Sequence, residues 1–379
     1  MKPIYLDYNA TTPIDDCVAE AMLPYLYGHF GNPSSRHTFG IEAKKGVDLA
    51  RSQVAGMLGC DENEIIFTSG GTESNNLALK GAAYANREKG THIITSSIEH
   101  PAVLRVCDYL QEEGFMVTIL PVDGNGCVNP ADVEAAISPQ TILISIMHAN
   151  NEVGTIEPIK EISEIAHSHN IIMHTDAAQS IGKIPARVGE LEIDLLSVAG
   201  HKLYAPKGVG VLYIRSGTKI NKMIHGADHE RNMRAGTENV LEIVGLGKAC
   251  ELVRDHLNEY TAHFMLMRDK LEQSICSEFP WAKINGDKEN RLPNTSNISF
   301  KGIEANKILS ELTTIAASAG AACHSDQVDL SHVLEAMHNP PEIAMGTIRF
   351  STGRMTTIEE INQAGLEIVR VIKKLAGNP

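Results

Sequence analysis

Several side chains able to do covalent or proton-transfer chemistry stand at one repeating place in this sequence, directly after a short apolar run. Ser197-Val198-Ala199-Gly200-His201-Lys202 is the clearest case. The run 194–198 reads as a buried strand, and a lysine just past it falls at the sheet edge where open α/β folds bind ligands. Four more runs end in polar clusters. Run 64–67 ends in Thr68-Ser69-Gly70-Gly71-Thr72-Glu73-Ser74, and run 92–95 in Ser96-Ser97-Ile98-Glu99-His100. Run 142–146 ends in His148-Ala149-Asn150-Asn151-Glu152, and run 171–174 in Asp176-Ala177-Ala178-Gln179. Any one cluster is explained by ordinary loop polarity. In a parallel sheet, however, all five strand ends share an edge, so Thr72, His100, Asn151, Asp176, Gln179, His201 and Lys202 are expected to converge.

Their chemistry is complementary. A lysine at a sheet mouth is either a solvated surface residue or an amine meant to condense with an aldehyde, and pyridoxal phosphate is the cofactor that uses this most. Gly70-Gly71-Thr72 opens a helix whose N–H groups can hold a phosphate, with a plain threonine cap as the alternative. Asp176 is the carboxylate that would keep a pyridine nitrogen protonated, or else a turn aspartate. Gln179 and Asn151 are placed to hydrogen-bond a ring hydroxyl. His100 suits covering the ring and moving protons near neutrality, or it is a structural histidine before Pro101.

The elements that must position these groups alternate. Strands are predicted at 64–67, 92–95, 116–120, 142–146, 171–174, 194–198 and 209–214, with helices at 72–89, 101–113, 130–137 and 158–169. Such alternation means a mostly parallel sheet covered on both faces. Earlier helical patterns run over 15–26 and 40–58. A long helix is predicted over 238–269, with a break near Gly245-Leu246-Gly247. Beyond it, strands at 295–300 and 347–351, a helix at 304–312 and a last helix opening at Thr357 with Glu360 three residues on form an α+β unit. The expected organisation is a large α/β domain, residues 16–257, with a seven-stranded sheet, and a smaller α+β domain from 1–15 and 258–379. The N-terminal segment is expected to lend the smaller domain its first strand.

Bulk properties narrow the function. The 379 residues carry a net charge of −14, with 43% hydrophobic and 21% charged residues. That balance fits a soluble enzyme and argues against direct nucleic-acid or membrane-surface binding. Seven widely spaced cysteines without Cys-x-x-Cys form neither a zinc framework nor a disulfide scaffold, so most are expected to be buried thiols in a reducing compartment. No basic stretch followed by an apolar core opens the chain, and a cytoplasmic protein is expected. The pairs His225/His229 and His167/His169 lack a completing ligand, and no metal is expected.

Tyr5-Leu6-Asp7-Tyr8-Asn9-Ala10-Thr11-Thr12-Pro13, Gly31-Asn32-Pro33-Ser34-Ser35, Thr68 to Asn75, Asn150-Asn151-Glu152-Val153-Gly154, Asp176-Ala177-Ala178-Gln179-Ser180 and Gly200-His201-Lys202 together resemble the cysteine desulfurases of the NifS/IscS-like group. His229 to Asn239 and Arg349-Phe350-Ser351-Thr352-Gly353-Arg354 match as well. The resemblance covers nearly the whole chain. It implies a fold-type-I, class-V aminotransferase-like enzyme that binds pyridoxal 5'-phosphate and works as a homodimer with sites at the subunit interface. It implies that Lys202 holds the cofactor, that Gly71, Thr72, His201 and, from the other subunit, Thr237 surround the phosphate, and that Asn9, Asn151 and Arg349 bind substrate. A guanidinium suits a carboxylate because its planar fork can donate twice.

Cys323 stands in the run Ala316 to Asp326, rich in alanine, serine and glycine. Spacing alone suits an alanine-rich helix with an inert thiol, whereas small residues also suit a loop that swings. The resemblance selects the loop, because the family's nucleophilic cysteine falls here and would take sulfur from L-cysteine as a persulfide, releasing L-alanine. Two departures bear on the details. Ala199 stands where most members carry serine, one phosphate hydrogen bond worth about 1–3 kcal/mol if unreplaced. Ala322-Cys323-His324-Ser325-Asp326 looks closer to selenocysteine lyases and to desulfurases feeding DNA phosphorothioation. Three functions follow: a cysteine desulfurase that passes sulfur to an acceptor protein, a selenocysteine lyase, or a non-catalytic scaffold of the same fold. The acceptor is open among an iron–sulfur scaffold, a tRNA-thiolation protein and a DNA-phosphorothioation protein.

Overall fold

A computed structural model describes residues 3–324 and 327–377. The chain begins with a short strand, β1 (Ile4–Tyr5), and two helices, α1 (Asp16–Tyr27) and α2 (Thr38–Leu58). Strands and helices then alternate: β2 (Ile65–Thr68), α3 (Gly71–Asn86), β3 (His92–Ser96), α4 (Pro101–Glu112), β4 (Met116–Leu120), α5 (Pro130–Ala136), β5 (Thr141–Ser145), α6 (Ile159–Ser168), β6 (Ile172–Asp176), α7 (Val188–Leu191), β7 (Leu195–Ala199) and β8 (Gly210–Ile214). The seven strands β2 to β8 make one sheet in the order β2-β8-β7-β6-β5-β3-β4. Only β8 runs against its neighbours. The connection from β7 to β8, residues 200–209, is too short for a crossover helix, so the chain must turn straight back. Because β8 is antiparallel to both β2 and β7, those two run the same way as β3, β5 and β6. The five strands that end in polar clusters therefore end on one edge.

Both faces of this sheet are covered, which explains why its strands read as continuous apolar runs. Neighbouring residues split between two apolar clusters: Ile66, Ile93 and Leu143 pack on one side, Phe67, Ile94 and Ile144 on the other.

Helix α8 (Val240–Glu278) is continuous and longer than the sequence suggests, with no break at Gly245 or Gly247. Those glycines serve close packing instead. A Cβ on Gly247 would stand 2.5 Å from Ala50 Cα in α2, and one on Gly245 2.7 Å from Met22 Sδ in α1. After α8 come β9 (Lys283–Asn285), β10 (Thr295–Ser299), α9 (Ala305–Glu311), β11 (Ile315–Ala316), β12 (Ser318–Ala319), β13 (Ala321–His324), β14 (Gln327–Leu330), α10 (His332–Ala336), α11 (Pro341–Ala344), β15 (Thr347–Ser351) and α12 (Ile358–Ala376). A capping box of Thr357 and Glu360 opens α12. Strands β12, β15, β10 and β9 form a second sheet, and β1 pairs in parallel with β11. A third apolar cluster joins Ile4 and Leu6 to Leu271, Ile298, Phe350 and Ile368.

The alanine-rich run is neither helix nor open loop in its described backbone. Residues 315–316, 318–319 and 321–324 are short strands, each held extended by a partner: β1, β15 and β14. Pairing overrides the helix preference of alanine.

Candidate active site

Strand β7 ends at Ala199 and the chain passes at once into one 3-10 turn, Gly200–Lys202. That turn sets His201 and Lys202 at the sheet edge. Lys202 Nζ donates to the carbonyl oxygens of Asn9 (2.5 Å) and Ala10 (2.8 Å). Burial, and then the Arg349 guanidinium, pull its pKa from 10.5 down to about 8, against the pull of Asp176 and Asp7. Roughly a tenth of the amine is then neutral at pH 7, the form that attacks a carbonyl.

Asp176 is the last residue of β6 and is buried. Oδ2 accepts from Asn75 Nδ2 at 2.7 Å, and Oδ1 from the backbone N–H of Ala178 at 2.9 Å. His100 caps α4: its Nδ1 accepts from the Ala102 N–H at 3.1 Å. The ring proton of neutral His100 therefore sits on Nε2. Burial lowers its pKa most; Asp176 opposes this, and Lys202 and His332 add to it. His201 accepts or donates at Nδ1 with Thr11 Oγ1 (3.1 Å), and burial with Lys202 and Lys207 pushes its pKa down to about 4.

Helix α3 starts after Gly70, which has φ 148° and gives no side-chain cap. Thr72 is thus inside the helix rather than at its cap, and the first N–H groups are left for a ligand. These parts meet around one cavity of ≈ 250 Å³. Gly71, Thr72 and His201 stand on its wall with Lys202, Asp176, Gln179, His100, Asn151, Asn9 and Arg349. One expected residue is not on it. Thr237 is exposed and outside the cavity of its own chain. The backbone of Cys323 lies in β13 opposite Val328, and its side chain lies outside the described residues.

Arg349, on β15, is already engaged. Nη2 donates to Asp7 Oδ1 at 2.8 Å and Ser318 Oγ at 3.1 Å, and Nη1 to the Asn151 carbonyl at 3.0 Å. Its Nε is buried without a partner among the described residues, an open donor beside Nη2.

Three residues of the site escaped the sequence reading: Asn75, Lys183 and Asp7. Asn75 lies one turn past Thr72 on α3, and that spacing was the available signal. Lys183 lies four residues past Gln179, within reach in a helical turn. Asp7 showed only as a member of the Tyr5 to Pro13 stretch that carries the resemblance. Among the six thiols described, Cys107 and Cys250 are buried but Cys17 is exposed, since it faces outward on α1, and Cys60, Cys127 and Cys276 are intermediate. Burial pushes the Cys60, Cys107 and Cys127 pKa values up to about 12, which leaves them inert thiols. Among the described residues, no group of three or more His, Cys, Asp or Glu could hold a metal. No helix among them is long and apolar enough to cross a membrane.

The chain matches the family model for aminotransferase class-V over residues 4–364. It is 51% identical over 377 residues to the cysteine desulfurase IscS of Methanosarcina thermophila, covering 99% of this chain and 93% of that one. It is 50% identical over 376 residues to the cysteine desulfurase IscS of Dictyoglomus turgidum, covering 99% and 95%. The chain belongs to the cysteine desulfurases of the class-V aminotransferase family. A solved NifS-like protein shares the fold with a TM-score of 0.93 and 40% identity over 98% of this chain and 100% of that one. This desulfurase therefore has the fold-type-I architecture.

Proposed function

We propose that this cysteine desulfurase uses pyridoxal 5'-phosphate to convert L-cysteine to L-alanine, leaving the sulfur as a persulfide on Cys323 for a protein acceptor. The observation that carries the reading is the convergence of Lys202, Asp176, His100 and the uncapped start of α3 on one cavity. The family implies this cofactor, and the donor set fits it. Lys202 offers an amine, Asp176 a carboxylate for the ring nitrogen, and Gln179 N–H donors for the ring hydroxyl. Gly71, Thr72 and His201 offer a phosphate site, completed by Thr237 of the partner subunit in a homodimer. When bound, the cofactor supplies an electron sink for the pair released at the substrate Cα.

The chain's own groups do the rest. Lys202, partly neutral, would hold the cofactor through its amine, and its Nζ is the group that would move the substrate Cα proton. Asp176, held by Asn75 and the Ala178 N–H, is the carboxylate that would keep the ring nitrogen protonated. His100 exchanges a proton with the substrate sulfur. Arg349 takes the substrate carboxylate on Nη2 and its open Nε, which requires Asp7 to share or yield. The Cys323 thiolate attacks the substrate sulfur: the Sγ–S bond forms, the Cβ–S bond breaks, and its electron pair stays with Cβ, which takes a proton. L-cysteine and one thiol give L-alanine and one persulfide, with no external oxidant. We also read residues 16–257 and residues 1–15 with 258–379 as two units, supported by an apolar cluster drawn wholly from the second, although Val333, Leu334, Met337 and Ala344 of that unit pack into the cluster of the first. Free thiols fit a cytoplasmic location. The acceptor class is an iron–sulfur scaffold, a tRNA-thiolation protein or a DNA-phosphorothioation protein.

Mass spectrometry of the Cys323 peptide after incubation with L-cysteine tests the reading. One added sulfur atom is expected, and none in Lys202→Ala. Alanine release with Cys323 unmodified would remove its role, and activity on selenocysteine alone would overturn the substrate.

A further inference from the structure

Behind Gln179 lies a second lysine. Lys183 follows Gln179 by four residues in a turn closed by Ser180 N–H to Ala177 O and Lys183 N–H to Ser180 O. It is 4% exposed. Its Nζ donates to Gln179 Oε1 at 2.7 Å and to Asn9 Oδ1 at 3.0 Å, both oxygens of neutral amides. Burying an amine on neutral acceptors is costly. Burial holds its pKa well below the usual lysine value, and the positive charges of Lys202 and Arg349 lower it further.

The hydrogen bonds show what the amine does. The two ends of a carboxamide are nearly alike in shape, so its orientation is chosen by its neighbours. A protonated amine offers only donors, so both atoms that Lys183 touches then accept, and a neutral one has two N–H groups for the same two oxygens. Gln179 therefore turns Nε2 the other way, where it donates to the Asn9 carbonyl at 2.9 Å. Lys202 donates to that same carbonyl, and both side chains are on the cavity wall. Asn9 is fixed likewise: Oδ1 also accepts from Asn294 Nδ2 at 3.0 Å, while Nδ2 donates to Thr295 Oγ1 at 2.8 Å.

We infer that Lys183 is a positioning residue: by holding the amide oxygens of Gln179 and Asn9, it commits the Gln179 N–H that the Asn9 carbonyl does not take to the cavity, where the cofactor's ring hydroxyl would lie. This rests on the cofactor reading above. Without Lys183 the Gln179 amide is free to flip, and an oxygen would then meet the ring oxygen.

The test uses holoenzyme, read by its visible absorption spectrum and by the rate of cofactor loss on dialysis. Lys183→Met is expected to shift the visible band and to speed cofactor loss roughly tenfold, the weight of one hydrogen bond to a charged partner. In a Gln179→Ala background the same change should add nothing, since the residue through which it acts is gone. Gln179→Glu, which has no N–H to present and keeps an acceptor for Lys183, should reproduce the Lys183→Met spectrum and tests the idea even if the methionine variant does not fold. A wild-type band in Gln179→Glu, or an equal effect of Lys183→Met with and without Gln179, overturns the inference. A wild-type protein with no visible band overturns the cofactor reading first, and this inference with it.

Discussion

Lys202 follows β7, a strand paired on both sides, to β6 and to β8, within a seven-stranded sheet. Cys323 lies in β13, whose ladder partner among the described residues is β14, in a two-stranded sheet. A lone two-stranded ladder contributes little stability, whereas a central strand with both faces covered is among the last parts of a domain to open. The contrast matches what the proposed reaction asks of each nucleophile. The amine must keep one geometry against Asp176 and His100. The thiol must serve two places, the substrate and an acceptor.

Removing the two nucleophiles separately is the strongest way to break this comparison. Lys202→Ala should abolish both the cofactor's visible band and alanine release, a loss of about a thousandfold or more, in line with losing a covalent catalyst and proton carrier. Cys323→Ala should lose sulfur transfer to a similar degree but keep the band. If Cys323→Ala also lost the cofactor, the separation of the two regions would be wrong. Thermal melts of the apoproteins check that neither change unfolds the chain.

Arg349 lies between the regions, since Nη2 reaches both Asp7 and Ser318, the latter on β12 just before the cysteine segment. Arg349→Lys keeps a positive charge but loses the fork. It should raise KM for L-cysteine roughly tenfold to a hundredfold with a smaller change in kcat, as expected for a lost bidentate contact. Unchanged KM would mean that the substrate carboxylate binds elsewhere.

The amine also carries a pH signature. With its pKa drawn from 10.5 to about 8, Lys202 loses its proton as pH rises through 8. Between pH 7 and 9 the neutral fraction climbs roughly tenfold. Cofactor capture by apoprotein should rise by about that factor and then level off, in wild type and in Cys323→Ala alike. A flat profile would place the amine's pKa outside this window.

Much of the sheet edge was legible because two strong signals agree there. Strands buried on both faces read as unbroken apolar runs, and each run stops where a polar cluster starts, so Lys202, Asp176 and His100 could be brought together without coordinates. What stayed hidden depends on tertiary partners. The alanine-rich run has small side chains with no strand preference; it is extended because β1, β15 and β14 supply ladders. Gly245 and Gly247 read as a helix break, yet they mark where α8 comes close to α1 and α2. Neither Asn75 nor Lys183 announces its role by residue type or spacing, since each acts by holding another side chain, Asp176 and Gln179. Thr237 reads as a phosphate ligand only through the resemblance, and one chain places it away from its own cavity.

The smallest effect is expected at Gly71, where the start of α3 meets the end of β7. A Cβ added there would stand 3.2 Å from Ala199 Cβ, a contact that a shift of a few tenths of an ångström relieves. Against that strain, alanine is favoured over glycine in a helix by up to about 1 kcal/mol, less in the first turn. The terms are of similar size, so Gly71→Ala should change stability by under about 1 kcal/mol in a denaturant titration. Its effect on the cofactor should be larger than on the fold, because the new methyl group stands on the cavity wall beside the first N–H groups of α3. Faster cofactor loss at unchanged stability would sharpen the assignment of this helix start as the phosphate site. A loss of stability without any change in cofactor retention would instead make Gly71 a packing residue, and would leave the phosphate to Thr72 and His201.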